Sequence, residues 1–477
     1  MFTETAFYNL KILLPIIALC VGSVFALIAE TFLSKDGKHQ ILPWINMLFL
    51  AISAVFAKLI SGEFEDPWNL FSMNYIKEIF LYTIILCGAI GTAALQNTLK
   101  NRDTLCGEAY SLLMLSSGGI MLMVLSKDLM PLFLGMELAS FPIYALVAMN
   151  RNSKESNEAA FKYFISGAAL SAVFLYGIAL FYGATGGTLI GGSVLEGRET
   201  IYQAAIFMLT LGLLFKVGAF PLHFWVADAY TGAIAPVTGY MAAVVKIGAF
   251  LGLGAIWLGL FGSTASVVIT REAVLFLCLG VASIIVGALT GLAQISARRI
   301  LAFSAVANAG FILLGFSYSY FAKLQVMDLS SAYYFLLTYA MGSITALAGI
   351  SALMNSSYDD LEDLHGVARK NPFLGACISV SLASLAGLPV AAGFLAKFRI
   401  FAILVNASFE SPAVWGIAIA AFVLAVISAT YYLRIIYFIW SYGGTEIKKR
   451  DKTSFLLNTS LGVATVTLLA LAVWLPF

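Results

Sequence analysis

Residues 211–225 read LGLLFKVGAFPLHFW. A lysine, Lys216, stands between apolar neighbours, and Pro221 follows five residues later. An ionisable side chain near a bilayer centre costs at least ~2.5–3.5 kcal/mol, so such groups are rare and face a protein interior or a water path. Proline removes a helix hydrogen bond and clashes with the preceding turn. The two together predict a membrane-spanning helix broken near its middle, with a lysine beside the break. The combination recurs at 387–401, GLPVAAGFLAKFRIF, where Pro389 precedes Lys397. Two more charges are embedded the same way: Lys246 in MAAVVKIGAFLG (241–252) and Glu137 in MPLFLGMELASFPIY (130–144).

Composition agrees with a chain that lives in lipid. Of 477 residues, 61% are hydrophobic and 11% charged, with a mean hydropathy of +0.93. Soluble domains carry about 25% charged residues, so the expected fold class is an all-α polytopic membrane protein. A span needs ~20 mostly apolar residues, and on that basis the chain holds about fourteen. The first apolar run, 12–33, is preceded by Glu4 and by Lys11 as its single cation. It exceeds the ~7–15 apolar residues of a signal peptide and reads as a retained span. Three spans, 200–229, 373–405 and 412–442, exceed what one straight helix needs. Pro221 and Pro389 predict paired half-helices in the first two. The third has no internal proline and reads as tilted or protruding.

Interrupted helices in matching positions point to an internal repeat with an ion site near the midplane. The expected organisation is helices 1–3 over residues 1–107, a first five-helix repeat over 108–260, a second, inverted repeat over 272–442, and a last helix at 455–476. Fourteen Lys and Arg residues lie in the odd-numbered loops against five on the other side. That bias makes the odd loops cytoplasmic and puts both termini on the outer side.

Several function classes drop out. The longest loops, 62–76, 184–199 and 355–372, leave no room for a nucleotide-binding domain. A glycine-rich dinucleotide turn, a P-loop and H-E-x-x-H are all absent from the sequence. Energy must therefore come from an ion gradient or from partner subunits. The net charge of +2 says nothing about nucleic acid, but the chain has no basic tail to bind it, so none is expected as a partner. Cys20, Cys87, Cys106, Cys278 and Cys377 are scattered singly, so no metal site is expected. The glycine-rich stretch 183–192 reads as an outer loop.

The embedded charges carry the chemistry. A carboxylate that moves towards or away from a buried lysine changes how tightly the lysine holds its proton, so Glu137 and Lys216 can act as an electrostatic switch. The alternative is an ion pair that locks two helices, or a lysine snorkelling to the interface. Lys246 supplies a second station for a relay, and Lys397 closes the series. His223 either ferries protons or caps carbonyls freed at the break. Glu158 and Lys162, one helical turn apart, are either an accessory path or an ordinary surface pair. Asp228 reads as interfacial, Glu108 borders the fourth span, and Asp359, Asp360, Glu362 and Asp363 form a solvated contact surface.

Four stretches carry a resemblance: GMELASFPIYAL (135–146), residues 215–250, LEDLHGVARKNP (361–372) and GLPVAAGFLAKFRIF (387–401). Together they resemble the antiporter-like membrane subunits of respiratory complex I, above all the subunit N branch of NADH-quinone oxidoreductase. The resemblance implies that Glu137 is the fifth-helix glutamate, Lys216 its partner in broken helix seven, Lys246 the helix-eight lysine, and Lys397 the ionisable group of broken helix twelve. Lysine at this last place is similar to subunit N, whereas subunit M usually has glutamate there. Glu158 and Lys162 fall where relatives carry accessory polar residues. The resemblance further implies a proton-translocating subunit of a bacterial inner (plasma) membrane complex, surrounded by other membrane-arm subunits and lipid. It would bind no cofactor itself, with NADH, FMN, Fe–S clusters and quinone elsewhere in the complex. The cation-antiporter subunits of Mrp-type Na⁺/H⁺ antiporters share most of these motifs and are the rival reading.

Overall fold

A computed structural model describes residues 2–62, 64–65, 68–102, 107–261, 266–321, 329–353, 360–389, 391–410, 413–442 and 453–473. Asp359 and Cys106 lie outside the described residues.

Helix follows helix, as it must where no water is present to satisfy an open backbone. The order is α1 (Phe2–Phe32), α2 (Lys35–Leu59), α3 (Tyr75–Arg102), α4 (Glu108–Leu125), α5 (Leu129–Val147), α6 (Lys154–Thr185) and α7 (Glu199–Val217). Next come α8 (Phe224–Gly232), α9 (Ala235–Tyr240), a π-helical turn (Met241–Val245) and α10 (Lys246–Phe261). The chain continues through α11 (Ser266–Leu292), α12 (Ala297–Phe321), α13 (Ser330–Leu353), a short 3₁₀ turn (Leu361–Leu364) and α14 (Val367–Lys370). It ends with α15 (Pro372–Ala386), α16 (Ala392–Glu410), α17 (Ala413–Trp440) and α18 (Phe455–Val473). A two-residue hairpin, β1 (Phe64–Glu65) with β2 (Ser72–Met73), closes one loop.

Thirteen helices among the described residues are long and apolar enough to cross a membrane. The fourteenth expected span is the interrupted one, built from α15 and α16. The chain is a multi-pass membrane protein. Of the three overlong spans, the two with prolines are broken and 412–442 is one continuous helix, α17.

The helices gather into two compact units. The first comprises Met1–Thr92, Leu105–Val217 and Val244–Glu272; the second comprises Ala93–Thr104, Gly218–Ala243 and Ala273–Phe477. Lipid gives no hydrophobic drive for helix pairing, so small residues that admit close backbone approach do the work. In the first unit a Cβ on Gly119 of α4 would come within 2.8 Å of the Gly135 carbonyl of α5. In the second unit a Cβ on Gly280 of α11 would come within 3.0 Å of the Gly310 carbonyl of α12. The same backbone-on-backbone device thus occurs in each unit. At the centre of the second unit, α13 is buried at every position from Ala332 to Leu353. It is walled by α9, α12, α15, α16 and α18.

Candidate ion path

The first unit holds Lys216 in the last turn of α7, 2% exposed. Its ammonium donates to the Ser140 hydroxyl at 2.7 Å and the Tyr144 hydroxyl at 3.1 Å, both on α5. Ser140 and Tyr144 are i, i+4 on one helix face, so a single docked helix supplies both acceptors. The Ser140 hydroxyl in turn donates to the Met136 carbonyl at 2.5 Å. Aromatic rings complete the socket. The lysine Nζ lies 5.5 Å from the centroid of Tyr144 and 5.9 Å from that of Phe215. From α6, Tyr163 meets Tyr144 edge-on at 4.7 Å. Gly167 of α6 makes room for the Tyr144 hydroxyl, since a Cβ there would lie 2.0 Å from that oxygen.

Glu137 sits three residues before Ser140 on α5, and its Oε1 is buried without a hydrogen-bond partner. Among the described residues no ion pair joins Glu137 to Lys216; the lysine is held by neutral hydroxyls. The carboxylate thus stands one turn from Ser140 and two from Tyr144 on the same helix, with one oxygen uncommitted.

Lys246 is 3% exposed and begins α10 directly after the π-helical turn. Single-turn π segments of this kind are frequent at functional sites. Gly248 and Gly252 then press α10 against Met123 and Leu132, as a Cβ at either would meet those side chains at 2.9 Å.

The second unit holds the other half of broken helix seven. Gly218 takes φ +72°, the left-handed conformation that ends α7, and a Cβ there would meet Val226 at 2.7 Å. The freed Phe220 N–H donates to the Ser283 hydroxyl at 2.9 Å. His223 stands at the start of α8 but makes no side-chain cap. Its Nδ1 is buried without a partner and its ring lies 5.6 Å from that of Phe220.

Break twelve is built differently. α15 ends at Gly387, φ +81°, with Pro389 in the exposed turn that follows. Lys397 reaches back from α16, 6% exposed, and donates to the carbonyls of Leu385 at 3.0 Å and Ala386 at 2.9 Å. Those are carbonyls a helix C-terminus leaves unpaired, at the negative end of its dipole. Gly387 is required for the approach, because a Cβ would fall 2.8 Å from Lys397 Cδ. Phe311 places its ring 5.5 Å from the ammonium.

The surrounding charges sort themselves by exposure. Glu158 and Lys162 form an ion pair at 2.7 Å on the outside of α6, 64% and 51% exposed. Their neighbour Tyr163, not they, faces the Lys216 socket. Glu108 pairs with Arg151 at 3.8 Å at an exposed helix start. Sequence reading missed Ser140, Tyr144, Tyr163 and Gly167. The first two carried a signal, since they lie at i+3 and i+7 from Glu137 on a helix.

Residues 126–428, which include all four embedded charges and both breaks, match the family described as NADH:quinone oxidoreductase/Mrp antiporter, transmembrane. The chain belongs to this antiporter family. A curated relative, NADH-quinone oxidoreductase subunit N of Maricaulis maris, is 31% identical over 98% of this chain and 96% of its own length. Among solved structures, a chain of respiratory complex I from Thermus thermophilus with bound aureothin is 29% identical. It covers 96% of both chains at a TM-score of 0.76. A chain of the Mrp complex from Dietzia shares the fold at a TM-score of 0.81, covering 99% of this chain and 95% of its own, with 19% identity. Family membership and fold are thus shared with both kinds of assembly, while the near-full-length curated likeness lies on the subunit N side.

Proposed function

We propose that this chain is a proton-translocating membrane-arm subunit of a bacterial NADH-quinone oxidoreductase. The observation that carries the reading is Lys216. It is an ammonium buried among neutral hydroxyls at a broken helix, one turn along α5 from an uncommitted carboxylate. A purely structural lysine in lipid would be expected to end on a carboxylate or at the interface. Here the partners, Ser140 and Tyr144, can each accept a hydrogen bond and reorient.

In this reading Glu137, Lys216, Lys246 and Lys397 are the proton stations. His223 is a further candidate, since its Nδ1 is uncommitted. Pro221 and Pro389 mark the breaks that keep polar backbone inside the bundle. Quinone reduction elsewhere in the complex would shift charge along the membrane arm and alter the Glu137–Lys216 spacing. The subunit itself would hold no redox centre, with NADH, FMN, Fe–S clusters and quinone bound by its partners. Moving one charge against the membrane field costs ~2.3 kcal/mol per 100 mV, which the redox reaction would supply. The positive-inside bias places both termini on the periplasmic side of the inner membrane. The relatives' names favour this over the Mrp reading, for which the likeness is one of fold.

The test is proton pumping in inverted membranes carrying Lys216→Ala, scored against electron transfer in the same vesicles. Loss of pumping with the complex assembled is the expected result. Normal pumping and normal electron transfer would make the lysine structural and end the proposal.

A further inference from the structure

One buried carboxyl of the first unit takes no part in the ion path described above. Glu272, on α11, is 5% exposed, and its Oε2 is buried without a hydrogen-bond partner. The residue before it, Arg271, is exposed and donates to the Gln203 side chain of α7 at 2.6 Å. Glu272 turns inward instead. Its carboxyl meets the hydroxyl of Thr210, a fully buried residue further along α7. Gln203 and Thr210 are two turns apart and share one face of that helix. Consecutive residues of α11 thus engage this face at its exposed end and about 10 Å further in.

A carboxyl in such a place has three ordinary explanations, and none applies. The dipole favours an anion in the first turn of a helix, but α11 begins at Ser266 and its first turn holds no acidic residue. A cation could neutralise it, yet among the described residues no ion pair includes Glu272. Arg271, its immediate neighbour on a helix, does not face it. A long side chain near a helix end can reach back to water, but this one is buried. What remains is a carboxyl with a hydroxyl beside it, inside an apolar span that begins at Arg271. An ionisable group at such cost reads by default as functional.

We propose that Glu272 is a proton-binding site of the first unit, exchanging protons with the membrane face at which α7 and α11 begin. The inference rests on the proton-translocating reading above and adds a station outside the lysine series. Lys216 lies in the last turn of α7, six residues and about 9 Å along the axis beyond Thr210. Glu272 therefore stands on the side of that lysine nearer the start of α7. In the positive-inside orientation that start is periplasmic, the side to which pumped protons leave. Binding a proton converts the carboxylate to the neutral acid, and release reverses the step. Thr210 is the positioning residue, since its hydroxyl donates to the carboxylate and accepts from the acid.

The experiment compares Glu272→Gln with Lys216→Ala in the assembled complex, in inverted vesicles. Glutamine keeps the side chain's size and an oxygen that accepts from Thr210, but it does not bind the proton. A structural role therefore leaves Glu272→Gln pumping normally. The proton site predicts pumping lowered at least about tenfold, as for loss of a proton-transfer group, with assembly and thermal stability kept. Should this variant fail to assemble, dicyclohexylcarbodiimide on the unaltered complex decides. The carbodiimide takes the proton of a carboxylic acid and then its oxygen, and acyl migration to nitrogen leaves a stable N-acylurea that peptide mass analysis locates. An adduct at Glu272 supports the site, and its absence overturns it. Normal pumping in Glu272→Gln, together with loss of pumping in Lys216→Ala, overturns the site and leaves the parent reading standing. Normal pumping in both variants overturns the parent reading as well.

Discussion

Lys216 and Lys397 are both buried lysines beside a broken helix, yet they are held by opposite chemistry. Lys216 belongs to the half-helix before its break and donates to two hydroxyls of another helix. Lys397 belongs to the half-helix after its break and donates to the terminal carbonyls of the half-helix before it. Hydroxyls accept or donate and can rotate; backbone carbonyls only accept and are fixed. The carbonyl site also carries the negative end of a helix dipole. Lys397 is therefore part of the architecture of its break, whereas Lys216 is a guest in a socket that stands without it.

Substituting each lysine by methionine breaks or sharpens that contrast, and the largest effect is expected at Lys397. Lys397→Met strands two carbonyls in a dry interior, at a cost of about 1–3 kcal/mol each. Lys216→Met removes a buried charge and leaves Ser140 still bonded to Met136, so stability should hold or rise. Thermal unfolding of the assembled complex should thus separate the two variants, although both are expected to stop pumping. Equal destabilisation would show that the two sites are built alike.

The glycines at the breaks offer a smaller step. Gly387 and Gly218 both take left-handed backbone, and alanine at either costs about 1–2 kcal/mol. Their side effects differ. A Cβ at Gly387 pushes on Lys397 itself, whereas one at Gly218 pushes on Val226. Gly387→Ala should consequently lower pumping in proportion to the displaced lysine, and Gly218→Ala should weaken the fold with less effect per assembled complex. Pumping normalised to assembled complex is the measurement. The reverse order would mean that the Lys397–carbonyl contact does not matter to turnover.

How much of this was legible in the chain follows from the range of each cause. The broken helices were visible because Pro221 and Pro389 act locally inside overlong apolar runs; length alone does not suffice, since 412–442 is one continuous helix. The residue that ends α15 was not the proline but Gly387, two positions earlier, where a left-handed turn lets Lys397 reach back. The embedded charges were visible because lipid makes each one costly. Their partners were not, since Ser140 and Tyr144 matter only through the docking of α5 on Lys216. The π-helical turn before Lys246 left no trace either, as MAAVV is an ordinary apolar run. Glu158 and Lys162 read equally as an accessory path or an ordinary surface pair, and the exposed ion pair matches the second. Facing is what separates them from Tyr163, and facing depends on which neighbours α6 finds.

That last distinction gives the smallest prediction. Glu158 and Lys162 bond each other on an exposed helix face, and an exposed i, i+4 pair contributes about 0.3–0.5 kcal/mol. Glu158→Gln should therefore change pumping by no more than about a factor of two, the equivalent of that energy. Tyr163→Leu, one residue from Lys162 but facing inward, removes the edge-on contact that seats Tyr144 and should lower pumping more. The two variants, measured in the same vesicles, ask whether the path runs through the interior of the first unit or along the outside of α6. A large loss in Glu158→Gln with little change in Tyr163→Leu would place proton traffic on the outer face. The Lys216 socket would then be a branch rather than the trunk.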